Sequence, residues 1–213
     1  MMRGLLRNDF MTMRKVILLY VAILAFYYIL MLVQRGTGGN GVEGMQFIVV
    51  LFSAMIVIYS FSYGEKSGWL GYVNVLPVTR TQVVVSKYLM TVICMCAAAA
   101  GGMAIQAAVN LTAGKDPLDG LFYMGIALMG AAAFMSVVIP LLFWLGSERG
   151  RVAVILVFMI PFAVLLLMEK QGIRISVSGG TLERLMPVLA AGTMVLLAVS
   201  CLVSLSIYKH KEF

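Results

Sequence analysis

Six long apolar segments, separated by short polar loops, constrain what this 213-residue chain can fold into. A bilayer core is about 30 Å thick and needs roughly 20 apolar helical residues to cross it, and each segment reaches or approaches that length. Only 12% of the residues are charged, about half the share usual in soluble domains. We therefore expect an all-α, polytopic membrane protein that forms a single transmembrane domain over residues 1–213. The six predicted spans are 16–33, 45–63, 83–112, 120–145, 152–168 and 186–207.

Basic residues are distributed unevenly around these spans. With six spans, the N-terminus, the second loop, the fourth loop and the C-terminus share one side, and they hold eleven Lys or Arg and four Asp or Glu. The three remaining loops hold five of each. Because basic segments are retained in the cytoplasm, both termini are predicted to be cytoplasmic. The net charge of +7 thus reflects topology and does not indicate nucleic-acid binding.

The residue types that the predicted spans lack exclude several classes of membrane protein. No Asp, Glu, His or Arg lies in the middle of a predicted span, and Lys87 is placed at a helix mouth where its amine can reach water. Ion-coupled carriers and intramembrane hydrolases need ionisable groups at depth. The chain also lacks a G-x-x-x-x-G-K-[ST] phosphate-binding motif, so we predict no catalytic residue, no metal ligand and no ATP site. Any work across the membrane must draw its energy from a partner.

Small and polar residues within the spans suggest how the helices pack. The third span pairs Ala97 with Gly101 and Ala98 with Gly102, a spacing that lets helices approach closely. The few polar residues at depth have two interpretations: they line a path for an amphipathic or lipid-like molecule, or they bond their own helix backbones. These residues are Ser53, Ser60, Gln106, Asn110, Ser136 and Ser200.

The loop "EKSGWLGYVNVLPVTR" (65–80) is the longest charged and turn-rich stretch in the first half of the chain. Trp69, Tyr72 and Leu76 recur at helical spacing, Pro77 ends any helix before it, and Thr79 is positioned to cap the third span. The loop is either an aromatic belt at the membrane interface or a docking element for a cytosolic protein. The basic N-terminus is likewise either an amphipathic interfacial helix or a frayed end.

Several motifs resemble the ABC-2 type permeases, in particular the small six-helix group that includes phenol-soluble-modulin exporters and bacteriocin export or immunity permeases. The resembling segments are "MRGLLRNDF" (2–10), "LPVTR" (76–80) and "VVVSKYL" (83–89), with Glu65, Trp69 and Tyr72 before the last two. The chain has Val75 and Thr79 where that group usually has Ser, and neither change disturbs the turn.

The resemblance implies a bacterial plasma-membrane permease that exports amphipathic, antimicrobial or toxin-like peptides. Its expected partners are a second permease copy, as a homodimer, and two copies of a separate ATPase that carries the ATP and Mg. A permease for lipids or drugs, or a non-transporting sensor or anchor, is the alternative. The resemblance also implies a coupling helix over about Glu65–Leu76, a second ATPase contact over about Arg3–Arg14, and an outer cap formed by loop 169–184. The ATPase contacts so assigned are Arg3, Arg7, Phe10, Glu65, Lys66, Trp69, Tyr72, Leu76, Pro77, Thr79 and Arg80.

Overall fold

The structure, a computed structural model, describes residues 14–36, 57–68, 79–112, 120–170 and 179–210, together with Met11, Gly114, Asp116 and Leu118. Almost all of this part of the chain is helical, which confirms the predicted all-α class. The helices it contains are α1 (Arg14–Gly36), α2 (57–66), α3 (Arg80–Thr112), α4 (Leu121–Lys170) and α5 (Gly179–His210).

Within the described residues, three helices are long and apolar enough to cross a bilayer. They are α3, the first half of α4 up to Gly146, and the part Arg184–His210 of α5, and they correspond to the third, fourth and sixth predicted spans. The first predicted span lies in α1, the fifth lies in the second half of α4, and only residues 57–63 of the second are described, as part of α2. The full set of six spans stays a prediction.

The outer faces of these helices are apolar. Met194 and Leu202 on α5 are 73% and 66% exposed, and Leu18 on α1 is 70% exposed. A soluble protein rarely leaves so much apolar surface in contact with water, because such patches drive association. Lipid tails are as apolar as these side chains and cover them without a penalty. The surface of the helix bundle is therefore that of a membrane protein.

A sharp break at Gly146 divides α4 into two helices, 121–145 and 147–170. Gly146 has a φ of 77° and a ψ of 179°, a conformation that glycine adopts far more readily than other residues. A Cβ added at Gly150 would lie 2.8 Å from Leu142 Cδ2 and 3.7 Å from its Cα. Residues eight apart in a straight helix are separated by about 12 Å, so the chain must turn back at Gly146.

The observed helix bounds correct two predicted loops, the fourth and the fifth. The fourth loop was expected over 146–151, but residues 147–151 already belong to the second half of α4, because a single glycine suffices for the reversal. The fifth loop was expected over 169–184, yet 169–170 and 179–184 are helical, and residues 171–178 lie outside the described part. The outer cap implied for this loop stays a prediction.

The buried core joins α2, α3, both halves of α4, and α5. Its largest fully buried side chains are Val57, Met90, Met135, Ile139, Leu142 and Tyr208. α1 contacts α3 through Val16, Ile17 and Tyr20, which pack against Met90. Of the small residues predicted to pack, Ala98 and Gly102 are buried, Gly101 is half-buried and Ala97 is exposed. Their role in helix packing stays a prediction.

A chain of hydroxyl groups ties α3, α4 and α5 together inside this core. The hydroxyl of Tyr88 is 2.6 Å from Ser200 Oγ and 2.8 Å from Ser204 Oγ, and Ser200 Oγ donates to the backbone carbonyl of Ser136. Each hydroxyl has one proton to donate. Because Ser200 donates to Ser136, Tyr88 donates to Ser200, and Ser204 must donate to Tyr88. Donation therefore passes from Ser204 in α5 to Tyr88 in α3, from Tyr88 to Ser200 in α5, and from Ser200 to the Ser136 carbonyl in α4.

Candidate functional site

Four separate segments meet at one end of the helix bundle. Phe61 near the end of α2, Phe143 before the α4 break and Tyr208 in the last turn of α5 form an edge-to-face aromatic row, with ring centroids 4.9 Å and 5.4 Å apart. The start of α3 contacts the same end of α5 through Arg80. We call this region the charged end. Its charged residues are Glu65, Lys66, Arg80, Glu148, Arg149 and Lys209.

Thr79 begins α3 with a reciprocal cap. The backbone N–H of Gln82 donates to Thr79 Oγ1 at 3.3 Å, and the backbone N–H of Thr79 donates to Gln82 Oε1 at 3.3 Å. This arrangement satisfies N–H groups that the first helical turn leaves without partners. The predicted cap at Thr79 is thereby confirmed, and it fixes where the 65–80 loop ends and α3 starts. The assignment of Thr79 as an ATPase contact stays a prediction.

Arg80 joins the start of α3 to the end of α5. Its Nη1 donates to the carbonyl oxygens of Lys209 at 2.6 Å and Tyr208 at 3.3 Å. The last carbonyls of a helix have no partner within the helix and carry partial negative charge, so a guanidinium both bonds and neutralises them. Arg80 is exposed, so we expect a modest stabilisation, but the contact holds the C-terminal turn of α5 beside the start of α3.

Glu65 and Lys66 lie in the last turn of α2, and both are exposed. The turn after α2 is closed by Gly68, which has a φ of 68° and donates its N–H to the Glu65 carbonyl at 3.1 Å. The Ser67 N–H donates to the Tyr63 carbonyl at 2.9 Å. A glycine with positive φ is a common helix terminator because it needs no Cβ. The predicted coupling helix over Glu65–Leu76 therefore does not begin at Glu65, since Glu65 and Lys66 continue α2.

The end of α2 lies against the break in α4. A Cβ added at Gly146 would lie 2.6 Å from Glu65 Oε1, so the carboxylate occupies the space that a larger residue at 146 would need. A cavity of about 360 Å³ opens beside this contact. Its lining residues are Glu65, Lys66, Leu145, Gly146, Glu148 and Arg149. Sequence reasoning did not select Glu148 or Arg149, although the charge count had placed their loop on the same side as Glu65.

Lys87 is buried, which corrects the expectation that its amine reaches water. The residue is 6% exposed, its Nζ donates to Ser60 Oγ at 2.8 Å, and the amine lies 5.5 Å from the centroid of the Phe61 ring. A buried cation loses its hydration, and the hydroxyl and the aromatic face offset part of that cost. Because α2 covers this face of α3, Lys87 joins the two helices that flank the 65–80 loop.

Polar groups at depth mostly bond within the protein instead of lining a path. Ser136 Oγ donates to the Ala133 carbonyl in its own helix, and Gln106 Nε2 donates to Asn110 Oδ1 at 3.3 Å. Asn110 Nδ2 in turn donates to the Asp116 carbonyl at 3.1 Å. These contacts favour the interpretation in which such residues satisfy helix and loop groups. Among the described residues, no group of three or more His, Cys, Asp or Glu side chains could hold a metal ion.

Seven of the residues assigned to ATPase contacts lie outside the described part of the chain. They are Arg3, Arg7, Phe10, Trp69, Tyr72, Leu76 and Pro77. Most of the predicted amphipathic N-terminal helix and most of the expected coupling helix also lie outside the described part of the chain. The structure brings Arg80 to the C-terminal turn of α5 and Glu65 with Lys66 to the α4 break, so the described members of the set share one end of the bundle.

Long apolar helices whose outer faces expose apolar side chains define a polytopic membrane component. The family described as ABC-2 family transporter protein matches residues 4–209, nearly the whole chain, and the protein belongs to this family. It is a membrane permease component of an ABC-2 transporter. The family carries no catalytic domain of its own, and ATP is bound by a partner ATPase. No curated protein and no solved structure gives a significant match to the chain.

Proposed function

We propose that this permease exports amphipathic, antimicrobial or toxin-like peptides from a bacterial cell, as a homodimer with two ATPase subunits bound at its charged end. The observation that carries the site assignment is the meeting of the ends of α2 and α5, the start of α3 and the break in α4. The substrate class rests on the resemblance of residues 2–15 and 65–89 to small peptide-exporting permeases.

The proposed orientation, with both termini in the cytoplasm, draws support from the same contacts. The charge count assigned the second loop, the fourth loop and the C-terminus to one side, and the described residues of all three meet at the charged end. Their basic residues Lys66, Arg80, Arg149 and Lys209 are all exposed. Such clusters are retained on the cytoplasmic side, which is where an ATPase and its ATP are found.

Energy would enter through the segment 69–78, whose two flanks are fixed to the bundle. On one flank, α2 is joined to α3 by the bond between Lys87 and Ser60, and on the other, Arg80 joins α3 to α5. Closure of the ATPase subunits on ATP would push on this segment and on the N-terminal segment 3–14. Because both flanks are tied to neighbouring helices, the push would displace α2, α3 and α5 together instead of bending a loose loop.

Co-purification from native membranes tests the proposal. We expect the tagged chain to bring down a protein with a Walker A motif, and reconstituted complexes to hydrolyse ATP faster when an amphipathic cationic peptide is added. Trp69→Ala and Leu76→Asp should abolish that stimulation while membrane insertion is unchanged. Wild-type stimulation in both variants would remove the coupling role from the 65–80 loop.

The substrate class has its own test in the same proteoliposomes. ATP-dependent loss of peptide from the membrane, with no movement of a fluorescent lipid or a hydrophobic dye, supports peptide transport. Movement of the lipid or the dye without the peptide would contradict it. Delivery of peptide into the lumen of inverted vesicles indicates export, whereas removal of peptide from the bilayer alone indicates protection of the cell against a membrane-embedded toxin.

A further inference from the structure

The contact between Glu65 and Gly146 has a geometry that strongly favours glycine at position 146. The φ of 77° at Gly146 excludes most other residues, and the carboxylate of Glu65 fills the position that a side chain would take. Two elements far apart in sequence are thus in contact at the one point where α4 changes direction. The contact also lies at the last turn of α2, directly before the segment proposed to receive the push from the ATPase.

The electrostatics of the break favour a carboxylate at this position. The second half of α4 begins at residue 147, and the first backbone N–H groups of any helix have no partner within the helix. The aligned peptide dipoles add partial positive charge there, so an anion is stabilised at that end. Lys66, Glu148 and Arg149 line the same cavity, so the charged side chains beside Glu65 carry one net positive charge. Glu65 supplies the anion from another helix.

We propose that Glu65 is a positioning residue that holds the break in α4 by placing its carboxylate at the start of the second half of that helix. The resemblance assigned Glu65 to an ATPase contact, and the approach of its carboxylate to Gly146 gives it a second role within this chain. Movement of the 69–78 segment would shift the last turn of α2, and with it the carboxylate that fixes the angle between the halves of α4. The consequence for transport rests on the proposed function, but the contact itself does not.

The angle at the break can be measured in the chain alone, in lipid nanodiscs. Val137 and Met159 are exposed and lie on opposite halves of α4, so spin labels at Val137→Cys and Met159→Cys report that angle as a distance distribution. Cys94, Cys96 and Cys201 are free and are replaced by Ser in the background. Labelled chain is diluted with unlabelled chain so that only distances within one subunit are recorded.

Glu65→Gln keeps the size of the side chain and removes its charge. We expect Glu65→Gln to broaden the distance distribution. The population with an altered angle between the halves of α4 should rise by about two- to fivefold, because an exposed charge at a helix end contributes that much. Glu65→Asp should restore much of the wild-type distribution because it retains the charge. Lys66→Gln, a neighbour on the same cavity, is the matched control and should resemble the wild type.

Three results would overturn the proposal. They are a wild-type distribution in Glu65→Gln, equal broadening in Lys66→Gln, and a Glu65→Asp variant as broad as Glu65→Gln. If Glu65→Gln does not fold, Gly146→Ala displaces the same carboxylate from the other side of the contact and must broaden the distribution. An unchanged distribution in a folded Gly146→Ala variant would also refute the role of the contact.

A functional measurement separates this proposal from the proposed function. If Glu65 acts inward, Glu65→Gln still co-purifies with the ATPase but loses most of the stimulation of ATP hydrolysis by peptide. Loss of co-purification in Glu65→Gln would instead make Glu65 a docking residue and would contradict the proposal. If no ATPase co-purifies even with the wild-type chain, the proposed function fails, while the distance measurement still decides the role of Glu65.

Discussion

Tyr88→Phe is expected to loosen the packing of α3 against α4 and α5 by removing a single oxygen atom. Tyr88, Ser200 and Ser204 are 9%, 5% and 0% exposed, so no water can replace the lost partner easily. In the wild type Ser204 donates to Tyr88 and Tyr88 donates to Ser200. The substitution leaves the ring in place and removes two hydrogen bonds between helices.

The expected cost follows from what such bonds contribute in membranes. Hydrogen bonds between transmembrane helices average about 0.6 kcal/mol and reach about 1.7 kcal/mol, so two of them give about 1–3 kcal/mol of unfolding free energy. The lower part of this range applies if Ser204 turns to a carbonyl of its own helix, as serine in helices can. Ser200 keeps its bond to the Ser136 carbonyl, which limits the loss further.

Reversible unfolding in mixed micelles, followed by circular dichroism, measures this difference. Tyr59→Phe is the matched control because Tyr59 is 42% exposed and stacks on Tyr63 through its ring, which phenylalanine retains. In a Ser204→Ala background the effect of Tyr88→Phe should shrink by about the value of one bond. A Tyr88→Phe variant as stable as the Tyr59→Phe control, or an effect unchanged in the Ser204→Ala background, would refute the hydroxyl chain.

Three further substitutions test the contacts of Lys87 and Arg80. Lys87→Met should leave the unfolding free energy within about 1 kcal/mol of the wild type, because it removes the buried charge along with its contacts. Ser60→Ala should lower the unfolding free energy by about 1–3 kcal/mol, because the buried Lys87 amine loses the Ser60 hydroxyl as an acceptor. The prediction fails if Lys87→Met is the more destabilising of the two in the same unfolding assay. Arg80→Ala should speed amide hydrogen exchange in the last turn of α5 by about two- to fivefold, and an unchanged exchange rate there would contradict the capping role of Arg80.

Features that depend on local sequence were predictable. The apolar runs gave the helical class because their length matches a bilayer, and the Thr79 cap followed from a hydroxyl residue just before an apolar run. The gap between the fourth and fifth predicted spans, residues 146–151, correctly marked a reversal of the chain near residue 146. Its extent was overestimated because one glycine with positive φ can reverse the chain, and the polar residues after it are free to begin the next helix.

Features that depend on distant partners were not predictable from one sequence. The bond between Arg80 and the Lys209 carbonyl joins residues 129 positions apart, and nothing near Arg80 indicates that partner. Lys87 was expected to reach water, and this prediction was wrong because α2 covers that face of α3, a matter of helix arrangement and not of the local pattern. The contact of Glu65 with Gly146 was missed for the same reason, since each residue taken alone resembles an ordinary loop feature.

The central claim is that the ATPase binds at the charged end, and site-specific photo-crosslinking tests it most directly. A photoreactive amino acid is placed at Lys66 or Arg149, which line the cavity at the charged end. The control position is Leu118, which is 63% exposed and follows the far end of the 33-residue helix α3. We expect crosslinks to the ATPase from positions 66 and 149 and none from position 118. No crosslink from either cavity position, or equal crosslinking from position 118, would contradict it.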